Sequence, residues 1–423
     1  MVQRHEYINK LIDSMWNNTV KVITGIRRCG KSVLLFNLFK NYLKDNGVLN
    51  EDIIEIKFDE MENFSLRNPF ILVKYLSDKL SKRENKRTYI FLDEIQYVKT
   101  MRSRSIGISM NIFDILNGLN NKENVDLYVT GSNSKMLSSD IITEFRGRST
   151  QIRVHPLSFK EYYDALGGDK SERLKEYLVY GGMPGLLNAK SILEKQFYLN
   201  NLFNETYLKD IVERNKIERT DLLDKILDYL ASNISSLTNS SKLAKYISSI
   251  SHENVNSLIC SRYLKSLIDS FILSEAKRFD IKGKKYFEFP SKFYFEDLGL
   301  RNARLNFRQI DEGHLMENLI YNEFLRKGFD IDVGVVIHRT STSKNYYEVD
   351  FVLNRGDKKI YVQSSYKLND QEKKEQEIRS LNLINDNFQK IIIRNDISIS
   401  HYDENGIYNL SLLDFLLNNN SAF

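Results

Sequence analysis

Proline is scarce, with 4 in 423 residues. That excludes long Pro-rich linkers and leaves the chain to be read as packed elements. Cysteine is scarcer, with 2. Cys29 and Cys260 lie far apart, so there is no disulfide framework, and a reducing cytoplasm is the expected setting. No apolar run approaches the roughly 20 residues needed to cross a bilayer. The opening MVQRHEYINK lacks the apolar core of a secretory signal, so no membrane partner is expected. Excess charge of one sign is missing too: 61 Lys and Arg stand against 56 Asp and Glu, a net charge of +5. This permits a nucleic-acid partner, but any basic patch must be local. What remains is an ordinary globular composition, 42% hydrophobic and 28% charged. The length calls for two to four domains.

The first strong pattern is KVITGIRRCGKSVLL, which fits G-x-x-x-x-G-K-[ST] at Gly25, Gly30, Lys31 and Ser32. The β-branched run before Gly25 reads as a buried parallel strand, and the apolar stretch after Ser32 as a helix. Between them, Gly25, Ile26, Arg27, Arg28, Cys29, Gly30, Lys31, Ser32 and Val33 would cradle phosphate. The glycines let backbone N–H groups turn inward, and the helix N-terminus favours an anion. Lys31 would reach the outer phosphates of ATP and Ser32 would hold Mg²⁺.

TYIFLDEIQ places Asp93 and Glu94 at the end of a second apolar strand. Asp93 would bind the same Mg²⁺, and Glu94 would polarise the attacking water. A third strand, in VDLYVTGSN, leads to Asn133. That residue is either a sensor of the γ-phosphate or part of a helix start with Ser134. Arg146 and Arg148 follow in TEFRGRST. They are either solvated or an arginine finger aimed at a neighbouring subunit.

In this order the motifs resemble those of an AAA+ ATPase. The P-loop G-x-R-R-x-G-K-S, formed by Gly25, Arg27, Arg28, Gly30, Lys31 and Ser32, is similar to that of the archaeal-type branch. VHPLSFKEY (154–162) and YLVYGGMPGLL (177–187) resemble that branch's last core strand and helical lid. The resemblance implies ATP hydrolysis with Mg²⁺ in a homo-oligomer, a hexamer among the implied forms, with no recognisable sensor-2 arginine in the lid. It also implies a C-terminal domain related to PD-(D/E)xK nucleases.

After Thr220 the pattern predicts three short helices followed by a β-hairpin turning at Gly283. That succession reads as a winged helix–turn–helix. Asn256, Arg262 and Lys265 on its third helix, with Lys282, Lys284 and Lys285 on the wing, suit phosphate contacts. Packing against protein is the competing reading.

A helix over 314–327 carries Met316, Ile320, Tyr321, Phe324 and Leu325 on one face, with Glu317 among them. A carboxylate there has to be solvated, paired or bound to metal. In YYEVDFVL, alternation puts Glu348 and Asp350 on one face. In KIYVQSSYK it aligns Tyr361, Gln363, Ser365 and Lys367. The nuclease pattern would have an acid where Gln363 stands and a lysine where Ser365 stands. The expectation is a second hard-metal site from Glu317, Glu348, Asp350 and Gln363 with its chemistry weakened or lost. A purely structural network, Glu317 pairing with a nearby Arg or Lys, is the alternative.

The expected architecture is α/β. An AAA+ P-loop core occupies 1–155 and a helical lid 156–219. A winged helix occupies 220–297 and a restriction-endonuclease-like α/β domain 298–423. The expected function is ATP hydrolysis coupled to a DNA or nucleoprotein partner. A nucleotide-gated switch with slow turnover and an ATP-regulated nuclease are the alternatives.

Overall fold

The computed structural model of the chain describes residues 2–83, 86–102, 107–131, 145, 147–287, 290–339, 343–367, 378–418 and 423. They form two compact units, Met1–Pro156 with Asp269–Phe271, and Leu157–Ile268 with Ile272–Phe423.

The first unit is an α/β layer structure. Its strands in chain order are β1 (Val20–Thr24), β2 (Ile53–Lys57), β3 (Thr88–Asp93), the two-residue β4 (Met101–Arg102) and β5 (Ser109–Met110), β6 (Val125–Thr130) and β7 (Ser149–Arg153). Five of them make one parallel sheet in the order β2-β3-β6-β1-β7, while β4 and β5 pair apart. Every residue of β1, β3 and β6 is buried, as a parallel sheet covered on both faces requires. Helix starts follow local chemistry. Asn68 accepts from the Phe70 amide with Pro69 at the first helical position, and Asn111 and Asp114 form a capping box. One charge pair lies inside the sheet. Lys21 on β1 bonds to Asp126 on β6, and Asp126 also accepts from the Tyr128 hydroxyl and, at 3.2 Å, from the Trp16 amide.

The last core strand is β7, in STQIR, and not VHPLSFKEY as the resemblance suggested. Val154 to Pro156 continue without a ladder, and Ser158 caps the next helix, Phe159–Leu166. Among the described residues β7 is an edge strand pairing only with β1, half-exposed, so no apolar run announces it.

The second unit begins with helices Phe159–Leu166, Lys170–Tyr180, Ile192–Asn201 and Lys209–Asn215, then Thr220–Ser232, Ser240–Ser251 and Ser257–Asp269. β8 (Leu273–Ala276), β9 (Arg278–Asp280), β10 (Lys285–Tyr286) and β11 (Lys292–Phe295) follow. After helices Leu298–Arg304 and Glu312–Arg326 come β12 (Asp330–Arg339), β13 (Lys344–Arg355), β14 (Lys358–Ser365), β15 (Gln389–Arg394), β16 (His401–Tyr402) and β17 (Tyr408–Ser411). Eight strands form a mixed sheet in the order β10-β9-β12-β13-β14-β15-β17-β16. Its core holds Val336, Val349, Val352, Leu381 and Ile392.

The expected wing is not one hairpin. β8 pairs antiparallel with β11, and separately β9 pairs with β10 around the turn at Gly283, whose amide donates to Asp280 at 2.9 Å. β9 also lies parallel to β12, so the large sheet takes strands from both sides of residue 297. The Lys170–Tyr180 helix packs on Leu298–Arg304, where Asn302 donates to the Leu178 and Val179 carbonyls at 3.0 and 2.8 Å. Gly181 has φ 72, and a Cβ there would stand 2.3 Å from the Asp297 carboxylate, which explains the glycine in YGGMPG. The Glu317 helix is not a one-face amphipath. It is buried on every side from Leu315 to Phe324, because strands β11 to β14 and the Lys170–Tyr180 helix surround it. Among the described residues no helix is long and apolar enough to cross a membrane.

Candidate nucleotide site and buried carboxylate cluster

The parallel order sets the first site. β6 lies between β1 and β3, with Leu92 level with Val129 and Val129 level with Val22. The loop after β1 and the acids ending β3 therefore reach the same edge, outside the carboxyl ends of the strands, where open α/β sheets bind ligands.

The loop geometry needs its glycines. Gly25 has φ 137, and a Cβ on it would stand 2.0 Å from the Val154 carbonyl oxygen. Gly30 has φ 103 and precedes the helical run from Lys31 through Asp45. Ile26 and Cys29 are buried beneath, and the Cys29 thiol donates to the Val154 carbonyl at 3.3 Å. Arg28 takes a left-handed conformation at the turn, φ 62. Lys31 is buried, and its ammonium donates to the Gly25 and Ile26 carbonyls at 3.0 Å each, so the loop closes on the chain's own cation.

Ser32 and Asp93 meet: the serine hydroxyl lies near enough to the Asp93 carboxylate to favour its charged form. Thr130, at the end of β6, donates to that carboxylate. Burial pushes the Asp93 carboxyl up, and the two hydroxyls pull it back. Thr130 Oγ1 in turn accepts the Glu94 amide at 3.0 Å, while the Glu94 carboxylate accepts from the Gln96 side chain. Glu94 is left-handed, φ 54, a strained conformation for a residue with a side chain. Thr130, which bonds the Asp93 carboxylate, was not among the residues singled out in the sequence. Its signal was a hydroxyl ending an apolar strand next to the acidic one.

A second support comes from the N-terminus. Arg4 donates to the Cys29 carbonyl at 3.2 Å and to the His155 carbonyl at 2.8 Å, and its guanidinium lies over the Tyr7 ring at 4.5 Å. It thereby fastens the P-loop to the segment leaving β7.

Of the remaining expected residues, Asn133 and Arg146 lie outside the described residues. Arg148 is exposed, donates to Asn121 at 3.2 Å, and its carbonyl accepts the amide of Val20, the first residue of β1. It therefore sits at the opposite edge of the sheet from the P-loop of its own chain.

The C-terminal acids come together as well, but around a lysine. Asn318 grips the edge of β11, accepting the Phe295 amide at 2.7 Å and donating to its carbonyl at 2.8 Å. That registers Lys292 and Tyr294 over Glu317. Lys292 Nζ lies 2.8 Å from Glu317, 2.8 Å from Glu348 and 3.6 Å from Asp350. The Tyr294 hydroxyl donates to Glu317 at 2.8 Å. Gln363 accepts the Asp350 amide at 3.2 Å, and the Asp350 carboxylate accepts the Ser364 amide at 2.8 Å. Burial alone would lower the Lys292 ammonium, but the three carboxylates outweigh it and hold the group charged, above its ordinary value. Burial and the Glu317 charge push Asp350 well up. Lys367 is elsewhere, exposed past the end of β14 against the Tyr366 ring. Among the described residues no group of three or more His, Cys, Asp or Glu is arranged to hold a metal ion.

Comparison with known proteins places this geometry. Residues 17–163 match a family described as an AAA domain. Residues 171–311 and 312–413 match two domains of unknown function, DUF8612 and DUF4143. An uncharacterized protein of Haemophilus influenzae is 31% identical over 425 residues, covering 99% of this chain and 99% of its own length. The chain belongs to that protein's family. The uncharacterized protein MJ1544 of Methanocaldococcus jannaschii is 28% identical, covering 94% of this chain and 87% of its own. In this family member the AAA domain thus carries the P-loop site, and the carboxylate cluster joins residues of the two domains that follow. Among solved structures, the Aeropyrum pernix ORC1 protein in complex with DNA is 13% identical with a TM-score of 0.28, covering 72% of this chain and 93% of that one. AMPPCP-bound DnaA from Aquifex aeolicus is 16% identical with a TM-score of 0.27, covering 62% and 82%. Overlaps that low carry no argument about fold or function.

Proposed function

We propose that the protein binds ATP with Mg²⁺ and hydrolyses it at the P-loop of its AAA domain. The observation that carries this is the Asp93 carboxylate, bonded to the Thr130 hydroxyl and close enough to the Ser32 hydroxyl for that group to hold its carboxyl down, with Glu94 one residue on. The residues fit the group: the Gly25 cradle excludes a Cβ, and a serine hydroxyl and a buried acid meet at the loop. Gly25 to Val33 would surround the phosphates, Lys31 would exchange its two carbonyl partners for phosphate oxygens, and Ser32 with Asp93 would hold the ion. Bound Mg²⁺ supplies charge neutralisation on the phosphates. Glu94 would orient the attacking water and take its proton. Arg146 or Arg148 of a neighbouring copy would complete the site in a homo-oligomer.

In the same reading, residues 156–219 serve as a lid. The helices Thr220–Ser232, Ser240–Ser251 and Ser257–Asp269 with the β8–β11 ribbon serve as a winged helix, and the eight-stranded sheet, with β9 and β10 in it, as a restriction-endonuclease-like domain. A DNA or nucleoprotein partner is supported by the exposed Asn256, Arg262, Lys265, Lys282, Lys284 and Lys285. Such residues suit phosphate contacts. One observation favours slow turnover, as in a nucleotide-gated switch: the Glu94 carboxylate is already engaged by Gln96.

The test is steady-state phosphate release with Mg²⁺, alone and with duplex DNA, single-stranded DNA or RNA. Lys31→Ala should lose nucleotide binding, and Glu94→Gln should bind ATP without turnover. Gln96→Ala raising the basal rate would favour the switch. Release that is the same in wild type and Glu94→Gln would remove the hydrolysis reading.

A further inference from the structure

Three acids converge on one point, Glu317 from a buried helix and Glu348 and Asp350 from one face of β13. That point is filled from within the chain. Lys292 enters from β11, which lies in a different ribbon from the strand that carries two of the acids. Its ammonium makes contacts of 2.8, 2.8 and 3.6 Å to the three carboxylates. The remaining donors and acceptors nearby are also in use. Tyr294 occupies Glu317, Ser364 occupies Asp350, and the Gln363 carbonyl oxygen accepts a backbone amide. Lys292 is 3% exposed, Glu317 8% and Asp350 7%, so the ammonium is shut in and only the Glu348 side chain reaches solvent, at 35%.

We propose that Lys292 is the resident cation of a carboxylate site that would otherwise accept a divalent metal. In the intact chain the site is closed and metal-free, and it becomes a divalent-cation site only when the Lys292 ammonium is removed. The physical reason is direct competition. Mg²⁺ or Mn²⁺ needs several oxygens at about 2.0–2.2 Å, and the same carboxylates are turned onto an ammonium that would stand against it at close range. Expelling the lysine would bury its charge unpaired or force β11 off the edge held by Asn318. Without the ammonium, three carboxylates face one another with no counter-charge, and a divalent ion is the natural replacement. The proposal rests on the second unit alone and stands or falls independently of the P-loop.

The experiment is Mn²⁺ titration of the nucleotide-free full-length protein, read by electron paramagnetic resonance, with supercoiled-plasmid nicking in Mn²⁺ alongside. Wild type and Glu348→Gln should take up the same amount of Mn²⁺, because neither holds an ion at the cluster. Lys292→Ala should gain one Mn²⁺ per chain, and adding Asp350→Asn to it should remove that ion. Lys292→Met keeps the stem and removes the charge, and serves if the alanine variant does not fold. If neither folds, Lys292→Gln, which keeps a polar group without the charge, takes their place. A wild-type Mn²⁺ that disappears in Glu348→Gln overturns the proposal. A folded Lys292 variant that gains no Mn²⁺ does so as well. Wild-type nicking lost in both Lys292→Met and Asp350→Asn also overturns it, since the lysine would then be part of an active nuclease centre.

Discussion

The Thr130 hydroxyl donates to the Asp93 carboxylate across the β3–β6 ladder. The same oxygen accepts the Glu94 amide at 3.0 Å, so one side chain holds the Asp93 carboxylate and the backbone of Glu94 together. Thr130→Val keeps the volume and removes both bonds. Partners that orient metal-holding groups typically contribute about 10–100-fold. The phosphate-release rate should fall by that order, while nucleotide affinity stays within a few-fold of wild type. Thr130→Ser should recover most of the rate. A valine variant with wild-type turnover would show that the hydroxyl only packs.

Arg4 is far from the P-loop in sequence yet holds its Cys29 carbonyl. Arg4→Ala leaves that carbonyl and the His155 carbonyl without this donor. A buried acceptor stripped of its partner costs about 1–3 kcal/mol. Weaker ATP binding, by roughly tenfold, and a lower melting temperature are expected together. Arg4→Lys should not rescue, because a point-like ammonium cannot reach two carbonyls as the planar fork does. Equilibrium nucleotide titration and thermal melting check it. A variant that melts lower but binds ATP normally would confine Arg4 to stability.

The parts legible in the sequence are those whose pattern is local. β1, β3 and β6 read as strands because strands buried on both faces are apolar along their length. Glu348 and Asp350 read as neighbours because the strand period is two. What was not legible depends on pairing across the chain. β7 is a half-exposed edge strand and carries no apolar run. The register that sets Thr130 beside Asp93 belongs to the sheet order and not to either segment. Lys292 lies 25 residues from Glu317, in a stretch that reads as one arm of a wing. Its single clue was a lysine inside the otherwise aromatic strand KFYF, whose four residues are all buried. The family resemblance pointed to acids and an expected lysine near Ser365. It contained no hint that a different strand would bring a lysine into the acids' midst.

Asp297 allows a prediction about pH. Its carboxylate is buried against the glycine pair after Tyr180, accepting the Gly182 amide at 2.7 Å and the Leu300 amide at 3.1 Å. Burial pushes it up from 3.8 to about 6, and the amides and the Arg326 charge only partly offset this. Between those two values the folded chain keeps a proton that the unfolded chain releases. The contribution to stability is therefore full below pH 3.8 and lost as pH rises through about 6. The difference corresponds to roughly 3 kcal/mol. Asp297→Asn cannot titrate. The stability of wild type relative to Asp297→Asn should therefore fall steadily between pH 4 and pH 7, by up to that amount, and be flat above it. Urea unfolding of both proteins across this range measures the difference. A gap that is constant with pH, or that widens in favour of wild type as pH rises, would mean that Asp297 is ionised throughout and that its neighbouring amides outweigh its burial.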